Sequence, residues 1–385
     1  MPTTAIVIPL FNHERFIADA LRSLFTQTRP PARIIVIDDG STDHSLEAAR
    51  AAANSTVTLL SQENAGAHAA LNRGIALAND SEFIGILNSD DLYEPSRIES
   101  CLRHLDQHPA AVVVVTRLRL IDENGAFPAP ADPRARWLHS VWQARPPSLP
   151  GWFGIANFTK TTSNLLGRAD YFRAHPFRPY RYVHDYYFAL TAAIEDRLLL
   201  LDEELLRYRV HNANTIKTGP ADQLPREVLR MNIDLLRALA PSLGASPDLR
   251  ARFADYLRTL SQNYADFRIE PFLHLVAAQF ATLTDAESAA LCDSLDPAHF
   301  PELLAGKSRA LRETLAQSAC DRLLQSAASS RWLALGRLLG ASPRLLTDAP
   351  TAESRLAALQ KACASSPWYR LGEKLGFLYR DRTGD

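Results

Sequence analysis

The chain of 385 residues lacks most of the features that announce a class at first sight. Cysteine is scarce: Cys101, Cys292, Cys320 and Cys363 are scattered, with no CxxC pair and no metal-ligand spacing. That excludes a disulfide scaffold and a structural zinc module, and it leaves the cysteines as packing residues in a reducing compartment. No window reaches about eighteen consecutive apolar residues, so no membrane span is expected. The opening "MPTTAIVIPLFNHERF" has neither the basic start nor the long apolar core of a secretory leader, and a cytoplasmic protein is expected. Charge of one sign is missing too. The 42 basic and 43 acidic residues leave a net charge of -1, which gives no overall field for nucleic acid, so none is expected as a partner. Neither GxxxxGK[ST] nor a GxGxxG turn after the first strand is present, which argues against a P-loop NTPase and a dinucleotide-dependent dehydrogenase.

What is present is apolar content, 46%, enough for one or two cores, and two domains are expected. The first 126 residues alternate in type. "AIVIPL" reads as a strand, and Phe16, Ile17, Ala20, Leu21, Leu24 and Phe25 fall at helical spacing. "RIIVID" and "STDHSLEAARAAA" repeat the pattern, the latter opening on three candidate capping residues. "TVTLL" precedes a helix through "GAHAALNRGIALA". "FIGILN" precedes "EPSRIESCLRHLDQH", with Pro95 suited to a first helical position. "AVVVVTRLRLIDENGAF" reads as a strand whose Asn124-Gly125 pair makes a hairpin turn. Such alternation predicts an α/β fold, a mainly parallel sheet with helices on both faces, binding its ligand at the carboxyl ends of its strands.

Two strands finish on paired carboxylates. "VIDDGSTD" contributes Asp38 and Asp39, and "ILNSDD" contributes Asp90 and Asp91, all predicted on one rim. Most strand-end aspartates cap helices or start turns, and one pair alone would be read so. Two pairs on one rim repel each other unless a cation or hydrogen-bond donors lie between them. A hard divalent ion with oxygen ligands, bridging to a diphosphate, meets that need.

In order, "IVIPLFNHERFIADALRSLFTQT", "IIVIDDGSTD", "ENAGAHAALNRGI" and "ILNSDDLYEPSRI" resemble the successive motifs of the family 2 glycosyltransferases, over about the first 215 residues. The resemblance implies a GT-A fold (Rossmann-like) and an enzyme that moves a sugar from a nucleoside diphosphate sugar, with inversion, to a glycan or lipid-linked acceptor in bacterial surface polysaccharide synthesis. It implies Mn2+ or Mg2+ as cofactor and uridine as the default base. It carries donor contacts to Pro9, Phe11, Asn12, Asp38, Asp39, Asn72, Arg73, Ser89 and Asp90. Metal contacts fall to Asp90, Asp91 and His211. Two positions depart from the family pattern: Asn88 stands at the first acidic place of the metal motif, and Leu71 stands where many relatives carry arginine, leaving Arg73 or His68 as substitutes.

An inverting transfer also needs a base for the acceptor hydroxyl. "TTSNLLGRADYFRAHPFRPYRYVHDYYFAL" resembles the stretch in which the family carries an ED dipeptide at a helix start. His184-Asp185 takes that place, so Asp185 is the candidate base, a role compatible with capping the helix. "LLRYRVHNANTI" resembles the closing YRxH segment and supplies His211, with Asn212, Asn214 and Thr215 as a polar loop over the donor. Between the halves, residues 128–158, rich in Pro, Arg and Trp, read as long loops on the acceptor side. There Trp137, Trp142 and Trp152 either stack on sugar or pack inside.

The domain reading is 1–218 as the GT-A domain, with 1–126 the nucleotide-sugar half and 127–218 the acceptor half, and 219–385 as a helical domain. Ser329–Gly340 and Ser365–Gly376 look like a duplicated amphipathic unit. They could touch the inner membrane peripherally or pack within the appendage, and homo-oligomerisation stays open. Two other classes remain. One is a non-catalytic module of the same fold that binds nucleotide or glycan, suggested by Asn88 and Leu71. The other is a nucleotidyltransferase, against which "PLFNHERF" argues because it is no Gly- and Arg-rich nucleotide loop.

Overall fold

Strands β1 (Thr4–Leu10), β2 (Arg33–Asp38), β3 (Val57–Ser61) and β4 (Phe83–Ile86) arise from the β-branched runs read above, and β1, β2 and β4 are buried almost throughout. The computed structural model describes residues 3–129, 131–212, 214–215, 223–243 and 246–263, with the single residues Ala358 and Lys361. The chain divides into two compact units, Met1–Thr259 and Leu260–Asp385, and all but a few described residues lie in the first.

Helices α1 (Ile17–Phe25), α2 (Ser45–Ala52) and α3 (Ala67–Leu77) return the chain between these strands. Beyond β4 come β5 (Leu92–Tyr93), α4 (Arg97–Gln107), β6 (Val113–Ile121), β7 (Leu166–Arg168), α7 (Ala169–Ala174), α8 (His184–Ile194) and β8 (Leu198–Arg209). Among the described residues the strands form one sheet in the order β3-β2-β1-β4-β7-β6-β8-β5. The pairs β3-β2, β2-β1, β1-β4 and β6-β8 are parallel. The sheet is nevertheless more mixed than alternation predicts, because β7 and β5 run antiparallel to their neighbours. Strand β7 can lie between β4 and β6 because Gly167 carries no side chain: a Cβ there would come 2.1 Å from the Val112 carbonyl oxygen.

Three local expectations change. Residues 128–158 are not plain loops, since they contain α5 (Pro133–Ala144) and α6 (Leu149–Ile155), each started by a side-chain cap, Asp132 and Ser148. Asn124-Gly125 does make a turn, with Gly125 at φ 85°, but no hairpin: β6 is flanked by β7 and β8, and the chain leaves the turn for α5. Pro95 precedes the cap residue Ser96 instead of opening α4.

The first unit continues past residue 218 to Thr259. It takes in α9 (Gln223–Leu243) and the larger part of α10 (Pro247–Asn263). Tyr180 donates to Asp234 at 2.6 Å, the Arg181 and Tyr182 amides donate to Glu227, and Arg252 donates to the Ile194 carbonyl. The 329–340 and 365–376 segments lie outside the described residues, and no described helix is long and apolar enough to cross a membrane.

Candidate functional site

Because β2 and β4 both pair parallel with β1, their carboxyl ends open on the same edge, and Asp38, Asp39 and the Asn88–Asp91 turn follow from there. The loop after β1 reaches across this edge. Asn12, at φ 52°, accepts from the Thr42 amide at 2.8 Å, and its own amide donates to Ser41. Phe11 stands exposed beside it, and Pro9 pairs with Ile37 inside the sheet.

The two aspartates of β2 organise the loop above them. Asp38 accepts from the Ser41 amide and the Ser61 hydroxyl. Asp39 accepts from Gln62 at 2.7 Å, the Ala65 amide at 2.9 Å and the Gly66 amide at 2.8 Å, so three donors share its two oxygens and an acceptor position is left. Gly40, at φ 72°, permits the turn: a Cβ would lie 2.9 Å from the Asn64 amide.

Asp90 and Asp91 part company. Asp91, with no exposed surface, accepts from the Arg209 amide at 2.9 Å and from the hydroxyls of Ser163 at 2.6 Å and Thr161 at 3.2 Å. Burial first, and then the neighbouring Asp90 charge, push its carboxyl well above the ordinary range. Asp90 faces the other way and meets His211 Nε2 at 3.0 Å. Burial alone would raise Asp90, but His13 and His211 outweigh it and hold the carboxyl below the ordinary range, hence ionised.

His13, which the sequence reading did not single out, completes this group. One ligand atom from each of His13, Asp90 and His211 lies within 4.8 Å of the other two. His13 Nδ1 shares a 2.8 Å hydrogen bond with the Ser89 hydroxyl, which leaves Nε2 to act as a ligand, the usual arrangement of metal-binding histidines. Burial lowers the His13 pKa, against the opposing charge of Asp90, which favours the deprotonated form that a metal ligand requires. His211 is itself positioned by its amide, which donates to Asn214. These donors fit a divalent ion. The available signal was positional: His13 follows the end of β1, on the edge that carries the other strand ends.

Asp185 lies in the first turn of α8 and is buried. Its Oδ2 accepts from Asn157 at 3.0 Å, and Asn157 Oδ1 accepts in turn from the Thr159 hydroxyl at 2.6 Å. The same short stretch reaches the metal-motif aspartates, since Thr161 and Ser163, a few residues beyond Asn157, donate to Asp91. Burial and the charges of Asp91, Asp90 and Asp185 all raise the Tyr208 phenol. Four residues are occupied by the fold itself. Asn72 exchanges two 2.8 Å hydrogen bonds with the Phe177 backbone, tying α3 to the segment before α8. Arg73, exposed, donates to the Ser61 carbonyl and Gln62. Leu71 is wholly buried, and Asn88 is held by Thr161 and Thr162. Of the three tryptophans, Trp142 and Trp152 pack inside at 5.1 Å between ring centres, and Trp137 is exposed.

Residues 5–183 match the family described as "Glycosyl transferase family 2". The chain is 32% identical over 126 residues to "Glycosyltransferase GlyG" of Streptococcus pneumoniae, covering 32% of this chain and 42% of that protein. It is 33% identical over 127 residues to "Chondroitin synthase" of Escherichia coli, covering 32% of this chain and 18% of that one. The chain therefore spans less than half the length of either relative. The solved structure of S. aureus TarS 1-349 in complex with UDP-GlcNAc superposes with a TM-score of 0.50 at 15% identity, over 78% of this chain and 92% of that one, a likeness of fold. By its motifs, its sheet and these matches, residues 5–183 form a glycosyl transferase family 2 region, on a GT-A-type α/β fold.

Proposed function

We propose that this protein transfers a sugar from a nucleoside diphosphate sugar to a hydroxyl of a glycan or glycolipid, with inversion, Asp185 taking the hydroxyl proton. The observation that carries this reading is the segment 157–163, whose Asn157 donates to Asp185 and whose Thr161 and Ser163 donate to Asp91, which supports a single region for the metal-motif carboxylates and the base candidate. Donor binding falls to the β1–β2 edge. Phe11 offers an exposed ring to the nucleoside, and Asp39 keeps an acceptor position for an N–H of the base.

His13, Asp90 and His211 would hold a divalent ion, with Asp91 behind them bracing the Arg209 backbone. Two imidazoles and one carboxylate suit Mn2+ better than Mg2+, which prefers oxygen and retains its water. When bound, the ion would neutralise charge on the departing diphosphate. Asn157 holds one oxygen of Asp185, which leaves the other for the acceptor hydroxyl. Attack from the face opposite the diphosphate, with Asp185 on the acceptor side, would invert the anomeric centre.

The test is turnover with UDP-, GDP- and dTDP-sugars. Asp185→Asn should leave nucleotide binding within about twofold and drop turnover about a hundredfold or more, the scale of general-base catalysis. Undiminished turnover in that variant would remove Asp185 from the reaction. Nucleotide binding without turnover by the unaltered protein would favour the binding-module reading.

A further inference from the structure

Lys160 occupies an unusual place beside Asp185. Its backbone is left-handed, at φ 67°, a conformation that a side-chain-bearing residue adopts at a cost, and its amide is held by Asn157 Oδ1 at 3.3 Å. Asn157 is also the residue that donates to Asp185, so one amide group fixes both the lysine and the carboxylate. The Lys160 ammonium lies 4.1 Å from the centre of the Trp137 ring. Arginines on β6 and around α5 are committed: Arg117 and Arg145 meet Asp202, and Arg134 meets Asp132. Lys160 makes no such pair with a described residue. Burial lowers its pKa, and the Asp185 charge acts in the opposite sense. Trp137 itself is 44% exposed, in contrast to the buried Trp142 and Trp152.

We propose that Trp137 and Lys160 form an acceptor subsite for a pyranose bearing an anionic group, a carboxylate or a phosphate. The inference rests on Asp185 being the base, because that role fixes the acceptor side of the sheet. An aromatic ring at the surface takes the C–H face of a sugar, and an ammonium held at the ring by a weak attraction is free to exchange it for a charge-assisted hydrogen bond. The left-handed backbone at Lys160, fastened through Asn157, roots this flexible side chain close to Asp185, so the ammonium stays within reach of a group bound there. A sugar bound through its anionic group is thereby oriented, and a neutral sugar lacks the second anchor.

The test titrates the full-length protein with methyl β-D-glucuronide, glucose 6-phosphate and the neutral methyl β-D-glucoside, followed by calorimetry and tryptophan fluorescence. At least one charged sugar should bind about tenfold tighter than the glucoside, the scale of one charge-assisted hydrogen bond, and the preferred one identifies carboxylate or phosphate. Lys160→Met should reduce that preference to within about twofold and leave glucoside and UDP affinity in place, and Lys160→Arg should retain it. Trp137→Ala should weaken all three sugars alike. Equal affinity for charged and neutral sugars, or an unchanged preference in Lys160→Met, would overturn the subsite. Failure of UDP to bind the unaltered protein would instead count against the donor reading, so the two outcomes stay separate.

Discussion

Asp90 offers its carboxylate to His211, whereas Asp91 offers its own to Ser163, Thr161 and the Arg209 amide. Adjacency in sequence says nothing of this division, because consecutive side chains diverge and only the tertiary partners decide what each one meets. The difference predicts unequal responses. Asp91→Ala leaves three buried donors unmet and should cost about 2–4 kcal/mol in urea unfolding. Asp90→Ala removes an acceptor from His211 and the more distant Asn214 but frees Asp91 of a neighbouring charge, so a smaller loss of about 1–2 kcal/mol is expected, and it also removes a candidate metal ligand. Equal losses in the two variants would show that the pair is not divided in this way. His13 was illegible for a related reason. A histidine in a loop has no periodicity to betray it, and its role depends on Ser89 and His211 arriving from distant segments.

The elements read best from sequence are those buried on both sides. Strands β1, β2 and β4 are continuous apolar runs because helices cover both faces of a parallel sheet. The elements missed were β5 and β7, of two and three residues, too short for any period to register. Helices α5 and α6 were hidden by composition, since their prolines and tryptophans resemble a loop. Yet Pro133 and Pro150 stand in first turns after Asp132 and Ser148, where a missing N–H costs nothing. Strand β7 also makes the strongest prediction at this scale. Gly167→Ala would drive a methyl group into the Val112 carbonyl and Val113 Cα, which are backbone and cannot turn aside. A loss of about 3 kcal/mol is expected, measured by thermal or urea unfolding, and a variant as stable as the parent would mean that β7 does not run this close to β6.

For the molecule as a whole, near-neutral net charge makes stability depend on particular buried groups more than on overall repulsion. Burial lowers both His13 and His184 from the ordinary 6.5. Below that value the unfolded chain takes up protons that the native rings refuse, so stability falls as pH drops through the window beneath 6.5. The urea midpoint should therefore decline from about pH 7.5 to about pH 5.5, and less steeply in His184→Gln. A flat profile would contradict neutral burial of these rings. The fold class and the shared strand edge were legible at this scale because alternation dictates them. Which side chains close on a common point was not, since β8 brings Tyr208 and Arg209 from more than a hundred positions away, and His211 follows it. The central claim is that Asp90 and its histidine partners unite a divalent ion with a nucleoside diphosphate. Calorimetric titration of UDP with and without Mn2+ tests it most directly: the ion should tighten UDP binding about tenfold or more in the unaltered protein and have no effect in Asp90→Ala. Binding of UDP that is indifferent to Mn2+, or equally enhanced by it in Asp90→Ala, would contradict the account.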